Sequence, residues 1–244
     1  MKSKTLSILI FFAIPLTISL SLIVSYFSEI PWLQEIISPD IEGINPDSNR
    51  EFGLLENLQN LYLIIIIFIL AFGFKKKHHR FEKTFIKVCL FLTLFVFLEE
   101  IDYGLHIYEY LYKVDIENVT KIRNIHNIDR ATMDKNIIVP LLKRLVDAGI
   151  ALFFVIFPLI AYKFRNLYIK FLAPNKWSIL TVLVMVIQSE LAHWLEDLGF
   201  DKKGTLHTNI SEFRELTVYY LAMLYLMEIV HFRKLTWPQS LYHV

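Results

Sequence analysis

Val88-Cys89-Leu90-Phe91-Leu92-Thr93-Leu94-Phe95-Val96-Phe97-Leu98-Glu99-Glu100-Ile101-Asp102-Tyr103-Gly104-Leu105-His106-Ile107-Tyr108-Glu109-Tyr110 decides how the rest of the chain is read. Its first half is comfortable only in lipid or in a deep core. Its second half loads the end of that apolar run with acids. An ionised side chain at membrane depth costs about 2.5–3.5 kcal/mol on insertion scales, so such groups are rare there unless they are paired or functional. On one continuous helix Glu99, Asp102, His106 and Glu109 recur at i, i+3, i+7 and i+10 and share a face. The spacing therefore predicts a polar stripe inside an apolar protein.

The composition places that stripe in a membrane. Of 244 residues 55% are hydrophobic, 20 are Phe and only 7 are Gly, and the mean hydropathy is +0.46. These values point away from a soluble domain and toward an all-α, polytopic transmembrane bundle. Apolar runs of about 17–23 residues suffice to cross a hydrocarbon core of about 30 Å. They predict about six helices, near 6–28, 58–74, 85–106, 146–162, 178–197 and 212–231, forming a single integral membrane domain over 1–244. The first run is longer than a signal-peptide core and no small-residue cleavage pattern follows Ser25-Tyr26-Phe27, so it reads as an anchor. The single Cys89 excludes a disulfide framework and a cysteine metal site.

Basic residues set the expected orientation, because Lys and Arg are retained on the cytoplasmic side. Lys2 and Lys4, the cluster Lys75, Lys76, Lys77, Arg80, Lys83 and Lys87, the loop residues Lys163, Arg165, Lys170 and Lys176, and Arg233 and Lys234 all fall on one side, with only Glu82 and Glu228 against them. Both termini are thus expected in the cytoplasm of a bacterial cell, with the chain in the inner (plasma) membrane. The acid-rich loops then lie outside. The cluster at 75–80 is explained by anionic headgroups, so nucleic acid is not expected as a partner.

The candidate site gathers at the outer ends of four helices. Glu56 opens helix two, Glu99, Glu100 and Asp102 close helix three, and Glu190 and His193 lie late on helix five in a Glu-x-x-His spacing used by carboxylate-bridged metal bundles. Asn209-Ile210-Ser211-Glu212 reads as a capping box opening helix six, and Glu215 and Tyr219 follow at one-turn intervals. His126, in Asn124-Ile125-His126-Asn127 of the loop 107–136, is a further imidazole. So many carboxylates repel one another unless a cation or bound protons intervene. A divalent metal (Zn, Mn, Fe or Ca) held by Glu56, Glu99, His126, Glu190, His193, Glu212 and Glu215 meets that need. Glu100 and Asp102 are then the candidate catalytic carboxylates, and Lys143, Arg144, Arg214 and Tyr219 the candidate substrate-binding residues.

Glu51-Phe52-Gly53-Leu54-Leu55-Glu56, Glu99-Glu100-Ile101-Asp102-Tyr103-Gly104 and Asn124-Ile125-His126-Asn127 together resemble a set of multi-pass bacterial membrane proteins without an assigned activity. Asp102-Tyr103 stands where that pattern more often has Ser-Trp. The resemblance implies a shared site without naming its chemistry. A fainter likeness is to the alkaline ceramidase and adiponectin-receptor type of membrane hydrolase, although Glu190-x-x-His193 replaces that family's His-x-x-x-His.

The expected function is a metal-dependent hydrolase or transferase acting on a lipid or lipid-linked substrate at the outer face. Alternatives are a non-enzymatic membrane subunit docked to a protein partner and a carrier that uses the same acids for cations or protons. A plain acidic rim whose pairs fix helix register is the structural counterpart of all three.

Overall fold

The computed structural model describes residues 4–41, 50–113, 138–200, 206 and 210–235. The described residues are helical and contain no strand. In chain order the helices are α1 Lys4–Phe27, α2 Pro31–Ile37, α3 Leu54–Gly73, α4 Arg80–Glu100 and α5 Leu105–Tyr112. Then come α6 Ile138–Ala151, which continues through a π turn into Phe157–Ile160, α7 Leu167–Leu172, α8 Ser178–Asp197 and α9 Glu212–His231. Four stretches are long and apolar enough to cross a membrane: Lys4–Phe27, Leu54–Lys76, Arg144–Lys163 and Ser178–Asp197. The other two helices of the expected six, α4 and α9, are of similar length at 21 and 20 residues but carry several charges.

Helix α9 is the hub of the bundle. It runs parallel to α3, because Gln59 meets Glu212 at one end while Gly73 lies against Val230 at the other. A Cβ at Gly73 would come 2.2 Å from Val230 Cγ1, so glycine is what allows the two helices to approach. Helix α1 runs the opposite way, with Tyr26 stacked edge-on to Phe213 at 5.9 Å and Tyr220 donating its hydroxyl to the Ile10 carbonyl at 2.8 Å. Helix α6 meets α9 through Asp147–Arg214 and through Phe153–Tyr225 at 5.3 Å.

Proline explains two contacts that α8 makes with α1 and α6. Pro15 and Pro158 lack an N–H, so each leaves the carbonyl four residues earlier without its helical donor. In a bilayer no water can replace that donor. Helix α8 supplies it: Thr181 donates its hydroxyl to the Phe11 carbonyl at 2.7 Å, and Ser178 donates to the Phe154 carbonyl at 2.8 Å. Each proline also follows a π turn, Leu9–Ala13 or Leu152–Ile156. Ile10, whose carbonyl is left over by the first of these, is met by Tyr220.

The basic end is tied down by cations on carbonyls. Buried Lys77 donates to the carbonyls of Ile229, at 2.7 Å, and Arg233. Arg233 in turn donates to the carbonyls of Phe171 and Ala173 and pairs with Glu228 at 3.0 Å. Burial pulls the Lys77 ammonium below its ordinary value, with Glu82 opposing. The Ile229 carbonyl, in the last turn of α9, is thereby met by a cation, as the helix dipole favours.

One expectation fails. Helix three does not continue to residue 106: α4 stops at Glu100, and Asp102, Tyr103 and Gly104 follow with φ of 47°, 52° and 81°. Three successive left-handed residues cannot continue a right-handed helix. Glu99, Asp102, His106 and Glu109 are therefore not one helical face, yet all four are buried.

Thr181→Val should lower stability to unfolding in bicelles by about 1–3 kcal/mol, since it strands a buried carbonyl. Pro15→Ala in the same chain should recover most of that loss by restoring the helical N–H. Equal loss with and without Pro15 would contradict the assignment.

Candidate functional site

The end of the bundle opposite Lys77 and Arg233 collects the acids. Glu99 and Glu100 are adjacent on α4 and so diverge by about a quarter turn. Each takes a phenol. Tyr103, just past the end of α4, donates its hydroxyl to Glu99 Oε1, and Tyr219 of α9 donates to Glu100 Oε1 at 2.5 Å. Bonds of a hydroxyl to a carboxylate are short and about twice as strong as neutral ones. They also keep the two neighbouring charges directed apart. Glu215 and Glu212 lie within electrostatic range of the same Tyr219 phenol, so two carboxylates of α9 and one of α4 surround one hydroxyl.

Two buried glutamines fix the start of α9. Gln59, fully buried on α3, donates to both the carbonyl and Oε2 of Glu212, at 3.1 and 3.2 Å. Gln188 of α8 donates to the Phe213 carbonyl at 2.7 Å and accepts from the Thr217 hydroxyl at 2.9 Å. Thr217 also lies 3.3 Å from Ser19 of α1. The first turn of α9 leaves backbone groups without helical partners. Those groups are N–H donors, whereas Gln59 and Gln188 donate to carbonyls, so their bonds add to the helical ones and fix the position of α9 against α3 and α8.

Within the described residues, the partner that Glu212 shows is Gln59. Ser211 precedes the helix without a side-chain cap bond, Glu212 is the first helical residue, and its carboxylate turns to Gln59. Asn209 and His126 lie outside the described residues, as does the side chain of Lys143. Glu56 is buried on α3 rather than standing at an open helix mouth. Glu100, Glu215 and Tyr219 are half-buried.

Helix α8 does not bring its predicted ligands into this group. Glu190 and His193 are exposed, and His193 Nδ1 lies 3.3 Å from Glu196 on the next turn. The reason is the face of the helix: Gln188 and Ala192, four residues apart, are fully buried, which turns Glu190 and His193 to the outward side. Arg214 is taken by Asp147, bonding both carboxylate oxygens at 2.9 and 3.2 Å. Arg144, three residues before Asp147, is exposed. Among the described residues, no three His, Cys, Asp or Glu side chains are arranged to hold a metal ion.

Three residues left out of the predicted site join the acids. Glu51, His106 and Glu109 are buried at this end, His106 with its ring 5.2 Å from that of Phe52. The i, i+3 spacing of His106 and Glu109 among aromatics was the available signal.

No protein-family model, curated protein or solved structure matches the chain.

The hydrogen bond to Glu99 raises the Tyr103 phenol above its ordinary 10.0. A phenol raised on folding contributes stability below pH 10.0 and loses that contribution as pH climbs through the raised value. Unfolding of detergent-solubilised protein should therefore show an alkaline decline above pH 10.0 that Tyr103→Phe reduces. An unchanged alkaline limb in the variant would contradict the pairing.

Proposed function

We propose that the chain is a six-span protein of the bacterial inner membrane whose acidic end acts on a lipid or lipid-linked substrate as a hydrolase or transferase. What supports this above all is the Glu100–Tyr219 contact at 2.5 Å between α4 and α9, with Glu212 and Glu215 beside it. The charge pattern of the loops supports a reading with both termini in the cytoplasm and this end at the extracytoplasmic face.

In this reading Glu100 is the general base. It takes the proton of a water or substrate hydroxyl as that oxygen attacks the carbonyl or phosphoryl centre, and returns it to the departing oxygen or nitrogen as the bond to the leaving group breaks. Tyr219 is the residue that positions it. A carboxylate held by one strong hydrogen bond is fixed in direction toward the proton that it is to accept. Glu99, Glu212 and Glu215 are the carboxylates nearest to hand for a divalent cation, which would polarise the attacked oxygen when bound. Arg144, exposed near Asp147, is free to meet an anionic headgroup at the rim. The resemblance of the Glu99-Glu100 and His126-Asn127 segments to multi-pass bacterial proteins points to a site at this same place.

A second reading is favoured by the burial of Glu56, Asp102, Glu109 and Glu212, each less than a tenth exposed. Carboxylates kept so far from water suit a carrier that binds and releases protons.

Two measurements on detergent-purified protein separate the readings. Incubated with a bacterial lipid extract, the wild type should release a headgroup or transfer it, and Glu100→Gln should slow that reaction by about 10²–10⁴-fold. Elemental analysis should find a divalent metal near one per chain, reduced in Glu99→Gln. Turnover that survives Glu100→Gln overturns the base assignment. Absence of turnover together with Glu100-dependent proton uptake in vesicles supports the carrier.

A further inference from the structure

Helix α5 is amphipathic in the sense opposite to a water-facing surface helix. Its polar residues His106 and Glu109 point inward, Glu109 being only 1% exposed, while Ile107, Tyr108, Leu111 and Tyr112 point outward. Leu111 is 67% exposed. The inward face is fixed by Phe52, whose ring lies 5.2 Å from His106 and 5.4 Å from Tyr110. The outward rings of Tyr108 and Tyr112 pack on each other at 4.5 Å, covering one turn with aromatic surface.

We propose that α5 lies in the headgroup layer of the bilayer with this apolar face against the acyl chains, forming a lipid-facing wall of the acidic site. Four observations commit the occupant to lipid. The exposed face continues directly from α4, whose Phe91, Phe95 and Leu98 are also exposed, so any bilayer around the spanning helices reaches the start of α5. The left-handed residues Asp102 to Gly104 let the chain leave the axis of α4 just where its apolar run ends.

Other elements at the same end show the same character. Trp32 on α2 is 61% exposed, with Gln34 anchoring that helix to the Tyr26 carbonyl at 2.9 Å, and Trp194 on α8 is 57% exposed. Tryptophan and tyrosine gather at membrane interfaces because one edge is apolar and the other wets. A protein partner would cover one side of the bundle, whereas these residues come from three separate elements around it. Lys113 closes α5 with its ammonium 4.8 Å from the Tyr110 ring, which suits a cation reaching up to the headgroups from an apolar stem.

The placement of α5 stands independently of whether the acids catalyse. Helices of this kind settle about 5–10 Å into the boundary between headgroups and acyl chains.

Nitroxide labels on single cysteines test this, each in a Cys89→Ser background and in vesicles of phosphatidylethanolamine and phosphatidylglycerol. At Ile107→Cys and Leu111→Cys, dissolved oxygen should relax the label several-fold more than a water-soluble nickel chelate does. At Lys113→Cys the order should reverse. Greater exposure to the chelate at 107 and 111 would put the helix in water and overturn the proposal. Shielding from both reagents would put a protein surface there and overturn it equally. Tyr108→Cys, another outward position, gives the same reading should either of the first two variants fail to fold.

Discussion

In hydrocarbon there is no water to complete an unmet hydrogen bond, and the packing of this bundle follows from that. Helices α1 and α6 each carry a proline and a π turn, so each presents carbonyls its own backbone cannot satisfy. Thr181 and Ser178 meet one in each helix from the first turn of α8, and Tyr220 meets a third from α9. The register of α1, α6 and α8 is fixed by these bonds as much as by apolar packing, which has little directional preference among aliphatic side chains.

The same requirement shapes α9. Its polar residues would be costly facing lipid, and instead they face neighbours: Glu212 meets Gln59, Arg214 meets Asp147, Thr217 meets Gln188, Tyr219 meets Glu100 and Tyr220 meets a carbonyl. A helix with polar groups on several sides is stable in a bilayer when other helices surround it, and α9 touches α1, α3, α4, α6 and α8. The acidic end is one consequence of that central position. Removing a single partner leaves a buried charge or carbonyl alone, which costs more than the bond itself contributes.

Much of this was legible in the sequence. The apolar runs gave helices close to their observed positions, because length and composition alone decide whether a segment suits a bilayer. Glu56, Glu99, Glu100, Glu212 and Glu215 do gather at one end, as expected from the alternation of helix direction. Two things were hidden. Asp102 and Tyr103 give no strong sign of left-handed backbone, and Gly104 by itself was too weak a signal to stop a helix with four regularly spaced polar residues. The exposure of Glu190 and His193 depends on which face of α8 its neighbours cover, Gln188 and Ala192 being turned inward, a relation between distant segments that spacing within α8 does not contain. The partners of the proline-released carbonyls were equally invisible, since serine and threonine in an apolar run look alike wherever they point.

The central claim is that carboxylates at one end of the bundle are held by hydroxyl and amide partners on other helices, with Glu100 and Tyr219 joining α4 to α9. A double-mutant cycle on unfolding in bicelles, with Glu100→Gln, Tyr219→Phe and the combination, measures that link directly. The account predicts a coupling of about 1.5–3 kcal/mol, as for hydrogen bonds to charged groups. Additive effects of the two substitutions would contradict it.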